Sequence, residues 1–209
     1  MAGALEGKIV LVTGAGSGIG EASAHRVAAA GGHVVVCDIN AEHGETVAEA
    51  IRASGGSAEF AKADVGVEGD VRALIAGIVA QHGRIDGAFN NAGIVQVGKP
   101  LHELTTQEWD RAIRVDLTGV FWCIKYEVQA MLTAGGGKIV NTASSLGQVA
   151  IANASEYIAA KHGVMGLTRA AAADYGARGI RVNAILPGII QTPVIDALSQ
   201  NLDFKTFLG

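Results

Sequence analysis

The chain has 209 residues, of which 49% are apolar and 17% charged, and its net charge is −4. This length favours one domain, residues 1–209, that can bury a substantial core. This composition excludes a disordered chain. The chain has no basic block, which argues against a nucleic-acid partner. No apolar run approaches the ~20 residues that a membrane span needs. The N-terminus, Met1–Glu6, lacks the basic start and apolar core of a signal peptide, so we expect a cytoplasmic protein.

Short apolar runs alternate with longer helical patterns. In chain order, the predicted elements are strand Lys8–Thr13, helix Glu21–Ala30, strand His33–Cys37, helix Ala41–Ala53, strand Ser57–Ala63, helix Val67–His82, strand Ile85–Asn90, helix Thr106–Leu132, strand Lys138–Ala143, helix Ser155–Tyr175 and strand Ile180–Leu186. The strands are continuous apolar runs, as in parallel sheets buried on both faces. Regular alternation predicts an α/β fold, a Rossmann-like doubly wound sheet of six strands in the order 3-2-1-4-5-6, rather than an eight-unit barrel.

Cysteine and histidine spacing predicts no metal site. Cys37 and Cys123 are isolated from each other in the sequence, and we expect both to be reduced packing residues. The six histidines show neither an HExxH pattern nor a paired spacing.

A glycine-rich segment, Thr13–Gly20, follows the first strand and precedes a helix. Glycine lets the backbone approach a ligand closely, and a helix N-terminus offers free N–H groups to a pyrophosphate. The pattern is TGxxxGxG, with Gly14, Gly18 and Gly20 in the glycine positions, and differs from the GxGxxG of the standard dinucleotide fingerprint.

The second strand leads to Asp38, whose carboxylate can accept hydrogen bonds from the hydroxyls of an adenosine ribose and would repel a 2′-phosphate. The glycine-rich loop and Ile39–Ala41 contain no arginine or lysine, which favours NAD(H) over NADP(H). The alternative is a plain glycine-rich turn followed by a solvated aspartate.

Tyr157 and Lys161 are four residues apart and share one helical face. A nearby ammonium favours the phenolate of a tyrosine, so the pair can serve as a general acid/base, although such pairs are commonly only helix surface. Ser144 lies thirteen residues before Tyr157, just past a strand, where its hydroxyl could bind a substrate oxygen. Asn90–Gly93 follows another strand, and both segments should meet at the carboxyl edge of the sheet.

From Lys8 to Pro193, these motifs together resemble the short-chain dehydrogenase/reductase family. The resemblance implies that Tyr157 is the catalytic acid/base, that Lys161 promotes its ionisation and binds the nicotinamide ribose, and that Ser144 orients the substrate oxygen. Other cofactor contacts are implied for Ser17, Ile19, Ile39, Asp64, Val65, Asn91, Ala92, Gly93, Pro187, Gly188, Ile190 and Thr192. The implied reaction moves a hydride between NAD(H) and a secondary alcohol or ketone, without a metal.

Two departures from the family pattern stand out. Asp116 occupies the position of the usual asparagine, which implies a proton-relay or helix-bend residue. The family usually continues past Thr192 with a substrate-covering segment and a seventh strand, whereas only Val194–Gly209 follow here. This short end leaves open a catalytically weak or silent NAD(H)-binding module as the alternative to an enzyme.

The sequence indicates only the class of the substrate and the kind of assembly. Residues near the expected pocket are mainly apolar, with two amides, and suit a compact alicyclic, aromatic or steroid-like ketone without strong charge; they are Ile94, Val95, Gln96, Leu146, Gln148, Val149 and Ile190. An epimerase or dehydratase of related fold would need a longer substrate-binding part. The segment Glu103–Trp109 and the helix after it resemble the pairing region of the family, which implies a homodimer or homotetramer.

Overall fold

Six parallel strands form one sheet in the order β3-β2-β1-β4-β5-β6, which confirms the predicted order. The computed structural model describes residues 3–193 and 195–196. The strands are β1 Ile9–Thr13, β2 His33–Asp38, β3 Ser57–Lys62, β4 Gly87–Asn90, β5 Gly137–Thr142 and β6 Ile180–Ile185. The helices are α1 Gly18–Ala29, α2 Ala41–Ala53, α3 Glu68–His82, α4 Thr106–Ile113, α5 Gly119–Ala134 and α6 Ser155–Tyr175.

Helices cover both faces of the sheet because successive side chains of each strand point to opposite sides. On β1, Val10 and Val12 pack in a core cluster with residues of α1 and α2. Leu11, between them, packs in a second cluster with residues of α3, α5 and α6. The strands are therefore apolar on both faces, as the continuous runs in the sequence predicted.

Three predicted boundaries are wrong by more than a residue, and one of them is the end of the long helix, which lies at Ala134 rather than Leu132. Helix α1 begins at Gly18 rather than Glu21, because the turn ends at the extended residue Ser17 (φ −161°) and the last glycines already belong to the helix. Strand β4 begins at Gly87 rather than Ile85, since its pairing with both β1 and β5 starts there. The Asp86 carboxylate instead accepts a hydrogen bond from the Ile9 N–H at 2.9 Å and caps the start of β1.

The predicted long helix Thr106–Leu132 is helical throughout but not uniform. A π-helical segment, Arg114–Thr118, separates α4 from α5. Its hydrogen bonds span five residues, so it widens one turn, and such segments are frequent at functional sites. Asp116 lies within it and is buried, which agrees with the expected place of a helix-bend residue.

Both cysteines are buried and free, as predicted. Burial raises the pKa of the Cys37 thiol to about 12, so it stays protonated and serves packing. The expectation of a short end after Thr192 falls on residues 194 and 197–209, outside the described residues. Over residues 3–193 and 195–196, no helix has both the length and the apolar character needed to cross a membrane.

Candidate active site

A cavity of about 520 Å³ lies at the carboxyl ends of the strands, where ligands bind in doubly wound folds. The structure brings nearly all of the predicted site residues to its wall: Gly14, Ser17, Gly18, Ile19, Asp38, Ile39, Asp64, Val65, Asn91, Ala92, Gly93, Asp116, Ser144, Tyr157, Lys161, Pro187, Gly188, Ile190 and Thr192. They come from the carboxyl end of β2, from the loops that follow the strands, and from α1, α6 and the π-helical segment.

Gly20 is the predicted cofactor residue that does not line this cavity. A Cβ at Gly20 would collide with the carbonyl oxygen of Gly14, so the glycine allows α1 to pack directly against the loop. Gly14 itself has a φ of +61°, and a Cβ there would lie 2.7 Å from the Cα of Ala92. Both positions need glycine. Gly20 lets α1 pack beneath the loop, and Gly14 allows the positive φ of the loop and its close approach to Ala92 after β4.

The start of α1 fits a negatively charged pyrophosphate. Ser17 is the N-cap residue, but its side chain makes no capping hydrogen bond. The N–H groups of the first turn therefore face the cavity without a side-chain cap, at the positive end of the helix dipole. Such an end binds phosphate groups well.

Backbone contacts fix the orientation of the Asp38 carboxylate. Its Oδ2 accepts a hydrogen bond from the Gly16 N–H at 2.8 Å, and its Oδ1 accepts one from the Asn40 N–H at 2.8 Å. Each carboxylate oxygen can accept a further bond. The side chain thus lies beside the glycine-rich loop as a preoriented acceptor, which fits the hydroxyls of a ribose.

Asn91 and Thr13 hold the loop against the end of β4. The Asn91 amide donates to the carbonyls of Thr13 and Gly14 at 3.3 and 3.2 Å. The Thr13 hydroxyl accepts the N–H groups of Asn91 and Ala92 at 3.0 and 3.1 Å. Sequence reasoning included Asn91 but gave Thr13 no role of its own; its signal was a hydroxyl at the last position of an otherwise apolar strand.

Lys161 is a buried cation at the centre of the site. It is 3% exposed, and its Nζ donates to the carbonyl oxygen of Thr142 at 3.2 Å. The same atom lies 3.6 Å from Oδ1 of Asp116 and 5.4 Å from the ring centroid of Tyr157. Helix α6 presents Tyr157 and Lys161 on the cavity side, because residues four apart share a face.

Asp116 is held beside Lys161 by the π-helical segment. Its Oδ1 accepts the Ile94 N–H at 3.0 Å, while Oδ2 is buried without a hydrogen-bond partner among the described residues. Burial raises the pKa of the Asp116 carboxyl, although the Lys161 ammonium opposes that change. A Cβ at Gly93 would lie 2.5 Å from Oδ1, so the glycine makes room for this side chain.

On the substrate side, only some of the residues expected from the sequence line the cavity. Ser144 lines it, and its Oγ accepts the Leu146 N–H at 3.1 Å. Among the expected pocket residues, Ile94, Val95 and Ile190 line the cavity, whereas Gln96, Leu146, Gln148 and Val149 do not. Sequence reasoning missed Arg111 of α4 and Arg114 of the π-helical segment, which both line the cavity.

Comparison with known proteins places this geometry in one family. The family model for short chain dehydrogenases matches residues 8–203. The chain is 48% identical over 198 residues to a 2,5-dichloro-2,5-cyclohexadiene-1,4-diol dehydrogenase of Sphingobium indicum, covering 94% of this chain and 78% of that protein. It is 47% identical over 195 residues to a cyclohexanol dehydrogenase of an Acinetobacter species, covering 93% and 78%.

Solved structures agree. The crystal structure of levodione reductase superimposes with a TM-score of 0.92 at 41% identity, covering 97% of this chain and 79% of that chain. A gluconate 5-dehydrogenase-like protein from Beutenbergia cavernae, crystallised with NADP, has a TM-score of 0.90 at 37% identity, with coverage of 96% and 79%.

The chain belongs to the short-chain dehydrogenase family. It is an oxidoreductase of the kind that uses a nicotinamide cofactor, and the relatives named above are dehydrogenases and reductases rather than silent binding modules.

Proposed function

We propose that this enzyme catalyses the NAD⁺-dependent oxidation of a ring secondary alcohol to a ketone, and the reverse reduction. The arrangement around Lys161 carries the proposal, because it places a buried ammonium beside the ring of Tyr157, in a cavity that begins at the glycine-rich loop. The relatives that act on a cyclohexadienediol and on cyclohexanol support a ring alcohol as the substrate class.

In this proposal the residues of the cavity divide into cofactor-binding and catalytic groups. The first turn of α1 binds the pyrophosphate and Asp38 binds the adenosine ribose, with Asp64 and Val65 beside the adenine. Lys161 binds the second ribose, while Pro187, Gly188, Ile190 and Thr192 border the nicotinamide. The bound cofactor supplies a hydride acceptor.

Proton transfer falls to Tyr157. Its phenolate accepts the proton of the substrate hydroxyl, and the Lys161 ammonium stabilises that phenolate. The Ser144 hydroxyl donates a hydrogen bond to the substrate oxygen as a carbonyl forms. Asp116 and the carbonyl of Thr142 hold Lys161 in place, and no metal is needed at this site.

NADH formation by the purified chain tests the proposal, with cyclohexanol, substituted cyclohexanols and open-chain secondary alcohols as substrates. We expect turnover of ring alcohols and a loss of about 10³-fold or more in the Tyr157→Phe variant, which removes the proton-transfer group. Tyr175→Phe, on the same helix, is the matched control. Equal rates in wild type and Tyr157→Phe would contradict the role of Tyr157.

We further propose that the enzyme is a homo-oligomer that pairs through α4 and α5. Trp109 and Phe121 on these helices are 39% and 44% exposed, so both large apolar side chains are available to pack against a second copy of the chain. Light scattering should give a dimer or tetramer, and the double variant Trp109→Glu/Phe121→Glu should reduce the mass to that of a monomer. An unchanged mass in this variant would show that α4 and α5 do not form the interface between subunits.

A further inference from the structure

Three side chains of types that can bind a metal meet near the amino end of β2, away from the carboxyl ends of the strands where the active site lies. His33 is the first residue of β2, Glu59 lies in β3, and His82 is the last residue of α3. One ligand atom from each lies within 4.8 Å of the other two. The Cα of His33 is about 16 Å from the Cα of Asp38, since five steps of roughly 3.3 Å along β2 separate the two ends of the strand.

The register of the strands explains why these residues meet. His33 belongs to the same face of β2 as Val35 and Cys37, the face that packs with α3. Glu59 pairs with Val35 in the neighbouring strand and shares that face. Helix α3 covers this face of the sheet, so the last residue of the helix, His82, lies over β3, the outermost strand.

We propose that His33, Glu59 and His82 form a Zn²⁺ site that binds the metal through Nε2 of His33, Oε1 of Glu59 and Nε2 of His82. Two imidazoles and one carboxylate are a known zinc ligand set, with water completing the coordination. Ligand atoms around a tetrahedral zinc with bonds of ~2.0–2.1 Å lie about 3.3 Å apart. Here Glu59 Oε1 is 2.8 Å from His82 Nε2 and 3.7 Å from His33 Nε2, so small side-chain rotations would complete the site.

The surrounding hydrogen bonds orient the ligands. Nδ1 of His33 lies 2.7 Å from the Ser57 hydroxyl. A proton on Nδ1 would leave the lone pair of Nε2 directed at the cluster, and Nε2 is buried without a hydrogen-bond partner among the described residues. The second carboxylate oxygen of Glu59 accepts the Gln81 amide at 2.6 Å. Metal-binding histidines and carboxylates characteristically have such supporting bonds.

The position of the cluster indicates a structural role. β3 is an edge strand that pairs only with β2 among the described strands, and a short loop joins it to α3. A metal bound by β2, β3 and α3 would tie the edge of the sheet to the helix that covers it. The C-terminus of α3 also favours a positive charge, because the helix dipole is negative there.

Zinc binding to the tag-free, EDTA-treated chain tests the proposal. Equilibrium dialysis should give one Zn²⁺ per chain, and Co²⁺ should show the intense visible bands of a low-symmetry tetrahedral site. Saturating Zn²⁺ should raise Tm by roughly 5 °C, because a ligand that binds only the folded state stabilises it. Activity of the metal-free enzyme should be unchanged, since the cluster lies far from the cavity.

Two variants and a control make the test specific. Glu59→Gln keeps the shape of the side chain, and His82→Gln keeps a polar group; each should weaken Zn²⁺ binding at least tenfold and reduce the Tm increase measured at the same Zn²⁺ concentration. His102→Ala removes an exposed histidine outside the cluster and should bind as the wild type does. Cofactor binding by the variants verifies their folding. A wild-type chain without saturable Zn²⁺ binding, or equal affinity in Glu59→Gln, would overturn the proposal and leave only a hydrogen bond between His82 and Glu59.

Discussion

Lys161 and Asp116 form a buried ion pair, with 3.6 Å between Nζ and Oδ1 and side chains that are 4% and 1% exposed. Because opposite charges close together in a buried site are only weakly screened, the carboxylate offsets part of the positive potential that Lys161 exerts on Tyr157. An aspartate at this position, in place of the family's usual asparagine, therefore has a direct consequence for catalysis.

Asp116→Asn should move the acid limb of the rate profile to lower pH. Removing the negative charge leaves the positive charge of Lys161 less compensated, which favours the phenolate over the phenol. The measurement is kcat/KM for alcohol oxidation against pH, with Asp110→Asn on the exposed side of α4 as control. Coinciding profiles for wild type and Asp116→Asn would show that Asp116 does not act on the proton-transfer step.

Glu127 is expected to make stability depend on pH. It is fully buried, and burial raises the pKa of its carboxyl to about 7 although Asn90 donates a hydrogen bond to it. In the unfolded chain the group loses its proton near pH 4.3. The neutral form favours folding, so its contribution is complete below that pH and is lost as the pH rises to about 7.

Glu127→Gln removes this dependence because an amide does not ionise. Relative to the wild type, the variant should gain on the order of 2 kcal/mol of unfolding free energy between pH 5 and pH 8. Urea unfolding at both values measures the gain, and Glu49→Gln on an exposed helix face should show none. If the difference in unfolding free energy between Glu127→Gln and the wild type is the same at pH 5 and at pH 8, Glu127 does not titrate in this range.

Asp38→Ala should narrow the preference for NADH over NADPH. The variant loses a charged acceptor for the ribose hydroxyls, so NADH should bind roughly ten- to a hundredfold more weakly, while NADPH no longer meets a negative charge. Fluorescence titration with both cofactors measures the change, and Glu42→Ala at the start of α2 serves as control. Unchanged selectivity would remove Asp38 from ribose recognition.

Gly14→Ala should abolish cofactor binding and destabilise the fold. Its Cβ would lie 2.7 Å from the Cα of Ala92, and φ is +61°. Gly55→Ala is a close control because φ is +84° there and nothing lies within 4 Å of the added Cβ. Positive φ alone costs roughly 1–2 kcal/mol, and overpacking adds about 1–3 more at Gly14. Equal unfolding free energies for the two variants would show that the loop relaxes freely.

Much of the site could be read from local spacing. The glycine-rich loop, Asp38 at the end of β2, and the Tyr157/Lys161 pair each lie within one turn or one helix. Their neighbours in the chain therefore fix their relative positions. Regular alternation with right-handed crossovers leaves few arrangements of a parallel sheet, and the predicted order 3-2-1-4-5-6 is one of them.

The tertiary structure decided what depends on contacts between distant elements. Helical periodicity could not reveal the π-helical segment that carries Asp116 to Lys161, since both patterns bury similar positions. It also could not assign Gly20 to packing rather than ligand contact, or exclude Gln148 from the cavity wall.

The His33–Glu59–His82 cluster is the clearest case. Spacing along the chain predicted no metal site, because its members are 26 and 23 residues apart in sequence. They meet only through the register of β2 with β3 and the packing of α3 above them. Sequence by itself thus determined the elements, their order and the local motifs, which depend on neighbouring residues. Packing decided which side chains from different elements lie together, because that depends on register and helix placement across the whole sheet.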